Sequence, residues 1–137
     1  MADIGSRKGP CMFPVSRQNA EWMGRIAELV VAFRLLLSGY RVIAWRWRSA
    51  IGEIDLITTK GEQVIFIEVK FRMKAGISAI PSPRQRGRIC RAAAHFLQHS
   101  HRSTETPCQF DLILLSWRPL NGHKRFHHIQ NAWQCGA

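Results

Sequence analysis

The stretch from Glu53 to Phe71 constrains the fold more than any other part of the chain. Two runs of alternating side chains, Glu53–Thr58 and Gln63–Phe71, flank Lys60-Gly61. Strand side chains point to opposite faces with a period of two, so these runs predict a β-hairpin with Lys60-Gly61 as its turn. That register sets position 55 against 66 and position 53 against 68. Glu53, Asp55, Glu68 and Lys70 then share one face, while Ile54, Leu56, Ile65, Ile67 and Val69 form an apolar face fit for a core. Asp55 and Glu68 become diagonal neighbours, roughly 7–8 Å apart at the backbone.

Carboxylates held this close repel each other unless a cation lies between them. Hard divalent cations take oxygen ligands, and a bound cation can polarise a phosphate and lower the pKa of a water. Asp55 and Glu68 are therefore candidate ligands for Mg²⁺ or Mn²⁺, and Glu53 or Glu28 could complete the shell or hold a second ion. Lys70 would orient an attacking water and offset transition-state charge. Asp55, Glu68 and Lys70 form the candidate catalytic set. The competing reading is a solvated sheet face on which Glu68 pairs with Lys70 or an arginine.

Along the rest of the chain, residues 1–16 are basic and rich in glycine and proline, and read as a flexible arm before a single domain over 17–137. Asn19 to Ser38 reads as a helix, with Trp22, Ile26, Leu29, Val30, Phe33 and Leu37 on one face as its packing stripe. Val31, Ala32 and Leu35 make the opposite face apolar as well, and Glu28 lies there, which asks for a buried partner or a site. Arg41–Arg48 alternates as a strand. Ser82 caps a second helix that starts at Pro83, runs to about His99 and buries Ile89, Ala92, Ala93, Phe96 and Leu97. Phe110–Trp117 is a further strand, and Phe126–Ile129 a short one.

The chain has 137 residues and a formal net charge of +11, with 20 basic against 9 acidic residues. Such an excess favours a polyanionic partner, nucleic acid above all. Arg84, Arg88, Arg91 and His95 make a basic stripe along the second helix, suited to phosphate contacts that fix register without reading sequence. Arg46, Arg48, Arg72 and Lys74 fall near the hairpin, and Gln85 could hydrogen-bond a phosphate. The four cysteines, Cys11, Cys90, Cys108 and Cys135, are scattered without a CxxC pair. They read as free thiols of a reducing compartment. His95 with His99, and His123, His127 and His128 with Cys135, lack recognisable zinc spacing. The apolar run Ile26–Leu37 is too short to span a bilayer and no secretory leader is evident, so a cytoplasmic protein without a membrane partner is expected.

Gly24-x-x-Ala27-Glu28, Gly39-Tyr40, Gly52-Glu53-Ile54-Asp55-Leu56-Ile57, Phe66-Ile67-Glu68-Val69-Lys70-x-Arg72, Ala92-Ala93, Phe110-Asp111 and Asn131-Ala132-Trp133 follow one another in the order seen in YraN-like bacterial proteins. The chain resembles that family over residues 19–134. The family in turn is similar to restriction-endonuclease-like nucleases and to Holliday-junction resolvases. The resemblance implies an α/β fold with an αβββαβ core, a central mixed β-sheet flanked by helices, a metal-dependent PD-(D/E)xK site, and a homodimer. By position, Asp55, Glu68 and Lys70 match the motif and Glu28 matches a helix glutamate, while Ile54 replaces the motif proline and Arg84 stands where a lysine is frequent. The expected function is metal-dependent DNA endonuclease activity, by analogy on branched or recombination-intermediate DNA. The alternative is a non-catalytic nucleic-acid-binding protein on the same fold, a choice that fold alone does not decide.

Overall fold

The structure is a computed structural model that describes residues 17–72, 80–103, 105–116 and 126–136, without the side chains of residues 17–24 and 72. Residues 1–16, read as an arm, lie outside the described residues, as do Lys74, Trp117 and His123. The element order is α1 (Arg17–Leu37), β1 (Arg41–Arg48), β2 (Glu53–Lys60), β3 (Gln63–Arg72), α2 (Pro83–His99), β4 (Cys108–Ser116) and β5 (Phe126–Trp133). The α1 helix closes as Gly39 takes φ 88°, a left-handed conformation that glycine adopts without steric cost. The α2 helix starts as expected: the Ser82 side chain accepts from the Gln85 N–H, and Pro83 occupies the first turn, where no N–H is needed.

The five strands form one sheet in chain order. Neighbours are antiparallel except β3 and β4, which are parallel with α2 as their crossover. This mixed sheet with a helix on each face is a restriction-endonuclease-like α/β core, extended by β5 at the edge. Val64, Phe66, Phe110 and Leu112 face Ile89, Ala92, Ala93 and Phe96 of α2. Leu56, Ile65, Ile67 and Ile113 face Val31 and Leu35 of α1, with Tyr40 beside them.

Three expectations for the hairpin require correction. Lys60 pairs with Gln63, so the turn is Gly61-Glu62 rather than Lys60-Gly61, and Gly61 takes φ 62°. The register consequently shifts by two, with Ile57 opposite Phe66 and Leu56 opposite Ile67. Ile54 also leaves the face assigned to it. Trp45 pairs with Leu56 and Trp47 with Ile54, and between them Arg46 takes φ 51°. That left-handed residue breaks the alternation, so Trp47 and Ile54 turn to the α2 core while Leu56 stays with α1.

The α1 helix is rotated relative to the expected packing. Ala27, Glu28, Val31 and Leu35 are buried, whereas Ile26, Leu29, Val30, Phe33 and Leu37 are exposed. A helix apolar all round carries no hydrophobic asymmetry to set its roll. Here the roll follows the bonds that Glu28 makes (below). The cysteines differ too: Cys90 in α2 and Cys135 after β5 form a disulfide, and Cys108 is a free, exposed thiol. Their 45-residue separation in sequence hid a proximity created by the crossover and the last hairpin. In β5, Asn131 takes φ 51° at a register shift, and the fully buried Asp111 carboxylate accepts from the Asn131 N–H and the Gln109 amide and pairs with the His128 ring.

Candidate active site

The β2–β3 ladder runs from Lys60↔Gln63 to Leu56↔Ile67, while β3 continues paired with β4 as far as Arg72. Beyond Leu56 a side chain takes over from the ladder, and the Asp55 carboxylate accepts the Val69 backbone N–H at 2.8 Å. Splayed strands thus open a gap between β2 and β3 on the side where α2 begins. Glu68 follows Val64 and Phe66 on the α2 face of β3, and Lys70 is the next residue on that face.

Glu68 is buried, and its Oε1 accepts from the Lys70 ammonium at 3.0 Å and from the Gln85 amide at 3.3 Å. The Glu68 carboxylate acts electrostatically on Asp55 across the gap. Burial, with the Glu68 charge second, pushes the Asp55 carboxyl up from 3.8 to about 8, against the lowering effect of the Val69 N–H. Among the described residues, two acids therefore sit beside one ammonium, that of Lys70. This donor set fits a hard divalent cation: two carboxylates from adjacent strands, one of them pushed toward its protonated form by burial and by its neighbour's charge.

The expected metal shell is otherwise not assembled. Among the described residues, no three of His, Cys, Asp or Glu converge as a ligand cluster. Glu53 is exposed and faces Arg48 at 3.5 Å. Glu28 is nearly saturated: Oε2 accepts from the Trp45 indole at 3.0 Å and from Arg46 Nε at 2.7 Å, and Oε1 accepts from Arg46 Nη2 at 3.3 Å. A buried carboxylate held by a guanidinium fork needs no further cation. The pairing of Arg46 with Glu28 was missed in the sequence, where only the demand of Glu28 for a partner was visible.

Both glutamates nevertheless line the same open cleft as Asp55 and Glu68, a cavity of about 450 Å³. Arg46, Gln85 and Arg88 complete its polar wall. The Ser49–Gly52 loop closes one end, with the Ser49 hydroxyl accepting from the N–H groups of Ile51 and Gly52. Arg84 and Arg91 are exposed on α2, outside the cleft lining, so only Arg88 of the stripe touches it. The Arg72 side chain is outside the described residues. His95 and His99 have ring centroids 4.6 Å apart, and the His95 ring also meets Trp47.

The mixed sheet with a helix on each face defines a protein with a restriction-endonuclease-like α/β core. Comparison with known sequences narrows this class to a family. The chain belongs to the Uncharacterised protein family UPF0102, whose pattern it matches over residues 27–115. It is 34% identical to a UPF0102 protein of Parvibaculum lavamentivorans over 134 residues, 97% of this chain and 95% of that one. It is 41% identical to one from Maricaulis maris over 102 residues, 73% of this chain and 80% of the relative. A third, from Ectopseudomonas mendocina, is 34% identical over 116 residues, 82% of this chain and 95% of the relative. No helix among the described residues is long and apolar enough to cross a membrane.

Proposed function

We propose that this protein is a metal-dependent endonuclease that hydrolyses DNA phosphodiester bonds, with branched or recombination-intermediate DNA as substrate. The observation that carries this reading is the Asp55–Glu68 pair, one carboxyl pushed up to about 8, with the Lys70 ammonium 3.0 Å from Glu68. A binding protein has no use for clustered carboxylates where phosphate must approach. Mg²⁺ or Mn²⁺ held by Asp55 and Glu68 would supply Lewis-acid polarisation of the scissile phosphate. Asp55 would hold such an ion as the carboxylate, and the Val69 N–H fixes the position of that carboxylate at the gap. Lys70 holds the attacking water by an ammonium donor and offsets negative charge as the phosphorus becomes five-coordinate. Gln85, anchored on Glu68, orients that carboxylate, and Arg88 at the cleft rim takes a neighbouring phosphate. Arg84 and Arg91, exposed on α2, extend the phosphate track. A DNA substrate implies a cytoplasmic address.

The test is Mn²⁺-dependent cleavage of labelled branched and linear DNAs by wild type and Asp55→Ala. Cleavage by wild type alone, with binding retained in the variant, supports the reading and shows which DNA structure is preferred. Equal cleavage by both would expose a contaminant. Salt-sensitive binding without cleavage would assign the fold to a DNA-binding protein instead.

A further inference from the structure

The disulfide between Cys90 and Cys135 stands beside a third sulfur. Cys90 packs at the rim of the α2 core, and Cys135 lies just past β5. Cys108 opens β4, two residues before Phe110, whose strand partner is Trp133. Carried two residues further, that antiparallel register sets Cys135 opposite Cys108. Alternation gives both cysteines the face taken by Phe110 and Trp133, which is the α2 face. The β5 strand ends at Trp133, and past it lies a cavity of about 460 Å³ lined by Cys108, Phe110, Trp133 and Cys135. Cys135 also lines a second cavity, together with Cys90 and Arg86. It is thus the sulfur that both other cysteines can reach.

We infer that Cys90, Cys108 and Cys135 form a thiol–disulfide exchange site, in which Cys135 switches its bond from Cys90 on α2 to Cys108 on β4. The Cys108 thiolate attacks the Cys135 sulfur, the new bond forms as the old one breaks, and Cys90 leaves as a thiolate that takes up the proton Cys108 gave up. No oxidant or reductant is consumed. The leaving sulfur has a cation at hand. Arg86 stands one helical turn before Cys90 and lines the same cavity, and its buried Nε has no hydrogen-bond partner among the described residues. A guanidinium beside a sulfur favours the thiolate. The Cys108 thiol donates to the Thr106 carbonyl at 3.2 Å, and desolvation pushes it above its ordinary value. It therefore rests as the thiol, and exchange runs through its minor thiolate fraction.

Switching moves an anchor of the candidate active site. With Cys90 bonded, α2 is tied to the chain after β5. With Cys108 bonded, that segment is tied to β4 and α2 is released. The same helix carries Gln85, which holds Glu68, and Arg88, which lines the cleft. In the reducing compartment that a DNA substrate implies, disulfides are transient and regulatory. That regulatory role rests on the proposed function, whereas the exchange does not.

Disulfide mapping tests the exchange. The full chain, with Cys11→Ser so that three cysteines remain, is oxidised, held at pH 8 for a day at 5 and 50 µM, quenched in acidic N-ethylmaleimide and digested without reduction. A Cys108–Cys135 peptide pair should appear at about a few per cent or more, in the same share at both concentrations. Its absence overturns the inference. A share that grows with concentration overturns it too, by placing the exchange between chains. Cys90→Ser in the same background, treated with oxidised glutathione, should close the Cys108–Cys135 link within one chain. Glutathione-capped thiols instead, in a variant with unchanged circular dichroism, would place Cys108 out of reach and overturn the inference. Amide hydrogen exchange reads the release of α2: residues 85–90 should exchange about tenfold faster in Cys90→Ser than in the chain with the Cys90 bond, with β3 unmoved. Equal rates would overturn the regulatory role. None of these readouts involves cleavage, so they fail or hold apart from the proposed function.

Discussion

Replacing Asp55 by Asn tests the electrostatic argument directly, in the metal-free protein and without any substrate. Asp55 ionises near 3.8 in the unfolded chain and near 8 in the fold. Across that window the native state keeps a proton that the unfolded state has lost, so stability falls as pH rises and levels off above about 8. Each pH unit inside the window is worth ~1.4 kcal/mol, so moving from pH 5.5 to pH 8 should cost wild type up to ~3 kcal/mol through this group. The Asn amide still accepts the Val69 N–H and can donate to Glu68, yet it does not titrate. The stability of Asp55→Asn relative to wild type should therefore rise by up to that amount over the same interval. Urea unfolding in EDTA measures it: with m-values of ~1–3 kcal/mol/M, the gap between the two midpoints should widen by about 1 M or more. Adding Mn²⁺ at pH 8 should stabilise wild type and leave Asp55→Asn unmoved. A pH-independent gap would refute the reasoning. It would mean that Asp55 is ionised at neutrality and that the pair has no deficit of positive charge for a cation to fill.

Four further outcomes are expected. Lys70→Met should lower cleavage by about a hundredfold or more while Mn²⁺ affinity, read by calorimetry, is kept or improved, since the ammonium that competes for Glu68 is gone. Glu28→Ala leaves the Arg46 and Trp45 donors without their carboxylate and should cost about 3 kcal/mol in chemical unfolding, whereas a tenfold loss of Mn²⁺ affinity would instead make Glu28 a ligand. Arg88→Ala should weaken duplex binding and reduce the slope of log affinity against log salt by about 0.9, with an unchanged slope removing Arg88 from the phosphate track. Cys135→Ser should cost up to about 4 kcal/mol under oxidising conditions, from the loop closed over 45 residues, and nothing in excess dithiothreitol.

The parts of this fold that the sequence made legible are those governed by local rules. The cap at Ser82, the stop at Gly39 and the alternation of β3 each depend on a few adjacent residues, and each is found where expected. The packing of α2 was largely legible, because only one of its faces is apolar: Ile89, Ala92, Ala93 and Phe96 are buried as expected, while Leu97 is only partly buried at the edge of that core. The roll of α1 was not, because Ile26, Leu29 and Phe33 compete with Val31 and Leu35 on equal hydrophobic terms. The decision falls to Glu28, whose partners Trp45 and Arg46 come from another element. The disulfide was hidden for the same reason: Cys90 and Cys135 meet only through the topology.

The hairpin shows how the site could be legible while its register was not. Moving the turn from Lys60-Gly61 to Gly61-Glu62 shifts each pairing by two residues, and a shift of two preserves parity. Glu68 and Lys70 therefore stay on one face under either register. What changes is the position of Asp55 along the ladder, and with it the distance to Glu68. In the observed register Asp55 stands at the point where β2 leaves β3, so its carboxylate replaces a ladder acceptor and is drawn toward Glu68. The left-handed Arg46, next to the strand position paired with Leu56, turns the neighbouring side chains to opposite faces and frees Arg46 to reach Glu28. Such a conformation costs a non-glycine residue about 1–2 kcal/mol. It persists because the Glu28 fork and the packing of Trp47 on Phe96 hold both sides of it. The break in alternation that misplaced Ile54 in the sequence reading is thus the feature that shapes the wall of the cleft.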